Sequence, residues 1–325
     1  MITNKTIFIS ALDWGLGHAT RCIPIISELE KNNKIIIGAT PLTKPIFKVE
    51  FPHLQIINVP AYNIKYSAFF PLWLKLVFDW PRISKIIKKE NKLLDVIITE
   101  NKIDVVISDN RFGMYSKKIK SIFITHQLFL KTPFLNSFCQ KINKKYILKF
   151  DEVWVPDFED NEKSLSGDLS HGKQFHTNVK YIGPQSRLQK IDDIEKKYDY
   201  LFLISGPQPQ RSIIIKTLLK KAESFPHIKF SMVTPDLHTQ ELKNVKIFVS
   251  PEKEILSAVI LSSKKIICRS GYSTLMDFYF LNKKEIILVP TPGQTEQEYL
   301  ANYWQKKFGA ILLKQGSINT YILKP

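Results

Sequence analysis

The segment Gly15-x-Gly17-His18-x-x-Arg21 is the first place in this 325-residue chain where residue types and spacing suggest chemistry. Glycines let a ligand approach the backbone, the N-terminus of a following helix favours negative charge, and His18 stands where a general base could meet a substrate hydroxyl. The competing reading is a histidine that only caps its helix. A second cluster is Cys268-Arg269-Ser270-Gly271-Tyr272-Ser273-Thr274-Leu275-Met276-Asp277. Here Gly271 permits a tight turn, and Ser270, Ser273 and Thr274 offer hydroxyls and helix-start amides to phosphate. Asp277, about one helical turn further on, can accept both hydroxyls of a ribose. An ordinary helix start followed by a surface aspartate would look the same. The third cluster is Gly293-Gln294-Thr295-Glu296-Gln297. Glu296 and Gln297 can hydrogen-bond sugar hydroxyls or a diphosphate without a metal, or can simply be the polar first turn of a helix.

These residues need elements to position them. Residues 6–12 (TIFISAL) read as a buried strand, followed by a turn at 13–17 and a helix from about His18 to Glu30. A strand follows at 34–38. The runs IDVVISD (103–109), SIFITH (121–126) and EVWVPD (152–157) are continuously apolar, as in parallel strands buried on both faces. The pattern pauses around 181–197 and restarts as DYLFLISGPQPQR, a strand at 200–205, a turn at Gly206 and a helix over about 212–223. Further strands are expected at 228–233, 245–250, 265–270 and 285–290. The chain therefore reads as two successive α/β domains, 1–183 and 184–325. Ligands of open α/β sheets bind beyond the carboxyl ends of strands, which points to 13–18, 109–113, 125–127, 205–211 and 269–274.

Composition narrows the class. With 44% hydrophobic and 12% aromatic residues and only 12 glycines, the chain is globular rather than disordered or collagen-like. The net charge is +17, but arginine occurs only at 21, 82, 111, 187, 211 and 269, so the excess is lysine background. Its field would still attract nucleotides, nucleic acid or anionic lipid. A basic nucleic-acid-binding protein is one alternative, although no aromatic RNA-binding motif, zinc-finger spacing or reader helix supports it. Cys22, Cys139 and Cys268 are odd in number and far apart, giving neither a disulfide framework nor a metal-ligand pattern. No signal peptide is expected, and Lys75 and Asp79 break the most apolar stretch, so a soluble, cytoplasmic protein is expected. Residues 62–89 interleave Phe69, Phe70, Leu72, Trp73, Leu74, Val77, Phe78 and Trp80 with Lys65, Lys75, Arg82, Lys85, Lys88 and Lys89. That mixture suits a lipid headgroup layer, or equally a core helix with a solvated basic face.

The Gly-x-Gly-His-x-x-Arg opening, the Arg269-Ser270-Gly271-x-x-Thr274-x-x-Asp277 segment and the Glu296-Gln297 pair, in this order, resemble glycosyltransferase family 28. Its best-known member is the cytoplasmic enzyme that adds N-acetylglucosamine to a lipid-linked peptidoglycan precursor. The resemblance implies an α/β GT-B fold, with two Rossmann-like domains facing across a cleft and a last helix that can pack back on the first domain. It implies a UDP-sugar as co-substrate, no resident cofactor or metal, and a hydroxyl acceptor that can be lipid-linked, which the 62–89 stretch would suit if it lies at the inner face of a membrane. Nucleic acid is not among the implied partners. By position, His18 matches the family's proposed base, and Gly15, Gly17, Arg21 and His126 fall on the acceptor side. Ser270, Gly271, Thr274, Asp277, Glu296, Gln297, Gly206, Gln208 and Arg211 fall on the donor side. Three of these positions depart from the usual pattern. Asp277 replaces a glutamate, Glu296 an often-present histidine, and Pro207 a common serine, where Arg211 can compensate. A nucleotide-sugar hydrolase or epimerase of the same fold is the other alternative. The sugar, the acceptor and the stereochemistry stay open.

Overall fold

The computed structural model describes residues 2–64, 72–132, 136–172, 175, 178–235 and 242–323; for 72–74, 76 and 77 it describes the backbone only. The chain divides into two compact units, Met1–Ile64 with Leu76–Ser186, and Lys65–Lys75 with Arg187–Pro325.

In the first unit the strands are β1 (Thr6–Ala11), β2 (Lys34–Ala39), β3 (Gln55–Asn58), β4 (Val105–Asp109), β5 (Lys120–Ile124), β6 (Glu152–Val155) and β7 (Asn178–Tyr181), crossed by helices α1 (Leu16–Leu29), α2 (Lys44–Glu50), α3 (Leu72–Asn101) and α4 (Asn136–Ile147). The sheet is parallel, in the order β3-β2-β1-β4-β5-β6-β7. Alternating side chains explain why β1 is apolar throughout. Ile7 and Ile9 pack with Ala19, Cys22 and Ile26 of α1, while Phe8 and Val106 pack with Leu94 and Ile97 of α3 on the other face. The register sets Ala11 beside Asp109, so β1 and β4 end side by side where the strand order reverses.

From Phe78 onward, α3 has the form of a core helix. Ile83, Ile87, Glu90, Leu94 and Ile97 make its buried stripe, while Lys85, Lys88 and Lys89 are exposed. Trp80 meets Tyr146 of α4 edge-on at 5.9 Å rather than facing outward, and Phe78 alone of the described aromatics there is strongly exposed, at 74%. Lys65, Phe69 and Phe70 of the expected headgroup segment lie outside the described residues, as do the side chains of Leu72, Trp73, Leu74 and Val77.

The second unit carries β8 (Tyr198–Leu203), α5 (Gln210–Glu223), β9 (Phe230–Thr234), β10 (Val245–Val249), α6 (Lys253–Ser262), β11 (Ser263–Cys268), α7 (Tyr272–Phe280), β12 (Ile286–Leu288), α8 (Thr295–Phe308) and β13 (Ile311–Leu312). Its parallel sheet runs β10-β9-β8-β11-β12-β13 and reverses direction between β8 and β11. After α8 and β13 comes a short turn, and Ile318 and Leu323 are buried in the second core with Tyr200, Phe202 and Leu218. Three strands were not expected from the sequence. β3, β7 and β13 are short edge or near-edge strands whose residues are half-exposed, so they carry no continuous apolar run.

Candidate active site

The first sheet presents its switch point between β1 and β4, and the His18 loop sits there. Gly15 precedes α1 at a φ of +141°, a region that favours glycine, and no side chain caps the helix. His18 therefore is not the cap. Its Nδ1 lies 2.7 Å from Asp109 Oδ1, while its side chain keeps about a fifth of its exposure. Asp109 is fully buried at the end of β4. Burial opposes its ionisation, but the Arg21 guanidinium and His18 outweigh burial and hold its carboxyl well below the usual carboxylate range. An ionised carboxylate only accepts hydrogen bonds, so His18 Nδ1 carries a proton toward it, and in the neutral ring Nε2 then holds the lone pair. Arg21 reaches Asp109 through Nε and Nη2, each at 2.5 Å, and Cys22 Sγ lies 3.5 Å from the same carboxylate. Burial and Asp109 together push the Cys22 thiol well up, which makes it an inert core group. His126, just beyond β5, is buried with Nδ1 3.1 Å from Arg21 Nη1. Thus the structure joins His18, Arg21 and His126, and adds Asp109.

A second buried ionic group braces the two turns. The Asp13 carboxylate accepts from the Tyr62 amide at 3.2 Å, and Arg111 Nη1 lies 3.9 Å from it. Arg111 is itself buried, with Nη2 2.6 Å from Glu90 Oε1 and also donating to the Pro60 carbonyl, and Nη1 donating to the Ala11 carbonyl at 3.2 Å. Glu90 accepts from Tyr62 OH at 2.8 Å and from the Gly113 amide at 3.1 Å. Burial pushes the Glu90 carboxyl up and Tyr62 well up, so the phenol keeps the proton it donates. This network fastens the residues on either side of the β1 and β4 ends to α3.

In the second unit, three turns meet at the carboxyl ends of β8, β11 and β12. Gly206 adopts a φ of +103°, and Arg211 folds back to donate to its carbonyl at 2.6 Å. Gln208 precedes α5, its side-chain oxygen accepting from Ser212 Oγ at 2.7 Å and from the Ser212 amide at 3.3 Å. Gly271 precedes α7, with nothing within 4 Å of where a Cβ would stand. Thr274 and Glu296, on the first turns of α7 and α8, and Asp277, on the second turn of α7, are half-buried.

Three side chains of these turns are engaged within the protein. Ser270 is buried, and its hydroxyl donates to the Gln297 carbonyl at 2.7 Å, so it ties the turn before α7 to α8. The Gln297 side-chain oxygen accepts from the Thr291 amide at 2.9 Å, which places it on its own turn. Arg269 is buried as well. Its nitrogens donate to the Val289 carbonyl at 3.0 Å, the Pro290 and Gln210 carbonyls at 3.2 and 3.3 Å, and Gln315 Oε1 at 2.7 Å.

Sequence reasoning flagged 109–113 as a strand end but did not give Asp109 a role. The signal was there: an aspartate closing an apolar run, at the strand paired with the one that precedes His18.

Among known proteins, residues 227–324 match the profile of the glycosyltransferase family 28 C-terminal domain. A comparison with curated protein sequences finds no match. Solved structures with the same fold include the spinosyn rhamnosyltransferase SpnG complexed with thymidine diphosphate, at 11% identity and a TM-score of 0.68 over 97% of this chain and 90% of that one. They also include Phytolacca americana UGT2 complexed with UDP-2fluoro-glucose and pterostilbene, at 13% identity, TM-score 0.65, covering 95% and 85%. The Acinetobacter baumannii MurG is similar at 12% identity, TM-score 0.57, covering 97% and 89%. The fold is GT-B.

Proposed function

A GT-B chain with a family 28 C-terminal domain over residues 227–324 is, we propose, a glycosyltransferase that moves a hexose or N-acetylhexosamine from a nucleotide sugar to a hydroxyl acceptor. The observation that carries the reading is His18 held by the ionised Asp109 at the first sheet's switch point. In the transfer, the acceptor oxygen forms a bond to the anomeric carbon as the bond from that carbon to the diphosphate oxygen breaks. The acceptor proton passes to His18 Nε2, and the nucleoside diphosphate leaves. One displacement of this kind inverts the anomeric centre.

Charge supports a diphosphate site within the second unit. The first turns of α5 and α7 contain no acidic residue, whereas α8 begins with Glu296 and Glu298. An anion is therefore favoured at Gly206 and at Gly271 to Thr274, and disfavoured at α8. Glu296 is then suited to sugar hydroxyls, and Asp277 to the ribose diol. The helix termini supply the stabilisation without a metal. Uracil is our choice of base, in keeping with the UDP-sugar held by one structure of this fold, although another holds thymidine diphosphate. Exposed Phe78, on the same helix as exposed Lys85, Lys88 and Lys89, favours a lipid-linked acceptor presented at an anionic membrane face.

A thermal-shift screen of UDP, dTDP, GDP and CMP with their common sugars tests the donor. Transfer assays with free and vesicle-borne hydroxyl acceptors follow with the donor that binds. His18→Gln is expected to lower kcat by about 10²- to 10⁴-fold with nucleotide affinity retained; near-normal turnover would remove His18 as base. Asp277→Ala is expected to weaken nucleotide binding by about tenfold, the scale of one charge-assisted hydrogen bond. Sugar release into water without acceptor, at the rate of transfer, would instead favour a hydrolase.

A further inference from the structure

We propose that Arg21 is a positioning residue that sets the proton arrangement of both histidines, locking the carboxylate that orients His18 and holding His126 as the tautomer with its proton on Nε2. The proposal rests on the reading of His18 as base. A guanidinium offers five N–H donors, accepts nothing and stays charged. Here those donors are directed inward. Nε and Nη2 each reach an oxygen of Asp109 at 2.5 Å, and Nη1 reaches His126 Nδ1 at 3.1 Å. Because arginine cannot accept, His126 Nδ1 must be the lone-pair nitrogen, and the proton of that ring sits on Nε2.

Arg21 Nη2 also lies 3.0 Å from His18 Nδ1. Both are donors, and both aim at Asp109 Oδ1, so the triangle holds only while that oxygen is a bare carboxylate. The groups facing the pair are Asp109 from β4, Arg21 and Cys22 from α1, and His126 beyond β5; Asp13 and Arg111 face each other in the adjoining turns. Arg21 is buried, with all three of its nitrogens on side chains of the protein. It is therefore not a fork for an acceptor phosphate. The two imidazoles end with opposite characters: His18 offers a lone pair from Nε2, and His126 an N–H from Nε2.

Long-range ¹H–¹⁵N spectra of the wild-type protein at pH 8 read both tautomers, with peaks assigned by their loss in His18→Gln and His126→Gln. The expected pattern is Nδ1–H for His18 and Nε2–H for His126. An Nδ1–H signal from His126 overturns the proposal without any Arg21 variant, so it stays decidable if those variants fold poorly. Arg21→Lys keeps the charge and loses the fork. It should mix the His126 tautomers and lower kcat by about tenfold or more, with nucleotide affinity within twofold of wild type. Unchanged tautomers and kcat in both Arg21→Lys and Arg21→Met would also overturn it. If His18→Gln retains full kcat while the wild-type tautomers are as expected, the base reading fails and the Arg21 clamp stands.

Discussion

Asp109 concentrates the chemistry of the first unit into one side chain, since it is fully buried yet serves His18, Arg21 and Cys22 together. Its folded-state carboxyl is held below the unfolded value of about 4, so its contribution to stability is fully present above that pH and is lost as pH falls toward the folded value. Asp109→Asn leaves Arg21 buried with an uncompensated charge. Denaturant midpoints at pH 7 should show a loss of about 3 kcal/mol, and the gap to wild type should narrow once the pH drops below about 4. A constant gap from pH 7 to pH 3 would show that the ionised carboxylate is not what stabilises the fold. At this scale the sequence disclosed His18 readily, because strand, glycine turn and histidine are contiguous. Asp109 is 91 residues away from His18, and only the pairing of β1 with β4 brings the two together. The partner of the Ser270 hydroxyl was hidden for the same reason, being a carbonyl 27 residues further along.

Elements were legible where one face or both are apolar over five or six residues, as in β1, β4 and β8. The short strands β3, β7 and β13 form only because a longer neighbour offers them a hydrogen-bonding edge, a tertiary cause invisible to periodicity. The close approach of α3 to the turn after β4 is equally non-local. A Cβ on Gly113 would collide with the Ile87 carbonyl and the Glu90 carboxylate, both on α3. Gly113→Ala should therefore displace α3 or break the hydrogen bond from the Gly113 amide to Glu90, costing about 1–3 kcal/mol in thermal or chemical denaturation. Turnover should fall with it, since the same network holds the residues around His18. A variant as stable as wild type would mean that the turn relaxes freely and braces nothing.

Across the whole molecule, the +17 charge distinguishes the sites less than the arginines do. Arg21, Arg111 and Arg269 are buried and bind together turns at strand ends, while the exposed Lys85, Lys88 and Lys89 line a solvated helix face. No helix of the described residues is long and apolar enough to cross a membrane. Because the proposed transfer draws its charge stabilisation from helix N-termini, turnover measured with excess EDTA should equal that with added magnesium. A strict requirement for a divalent ion would require a different account of the leaving diphosphate.

The four acceptors of Arg269 come from the ends of β12, the start of α5 and Gln315, close to the end of the chain. The guanidinium is thus a rivet whose last washer is a residue that touches no proposed substrate. A chain shortened before Gln315, or bearing a bulky fusion there, would lose nothing that the proposal assigns to the donor. It would still slacken the three turns together, and weakened nucleotide affinity would then be wrongly blamed on the turns themselves.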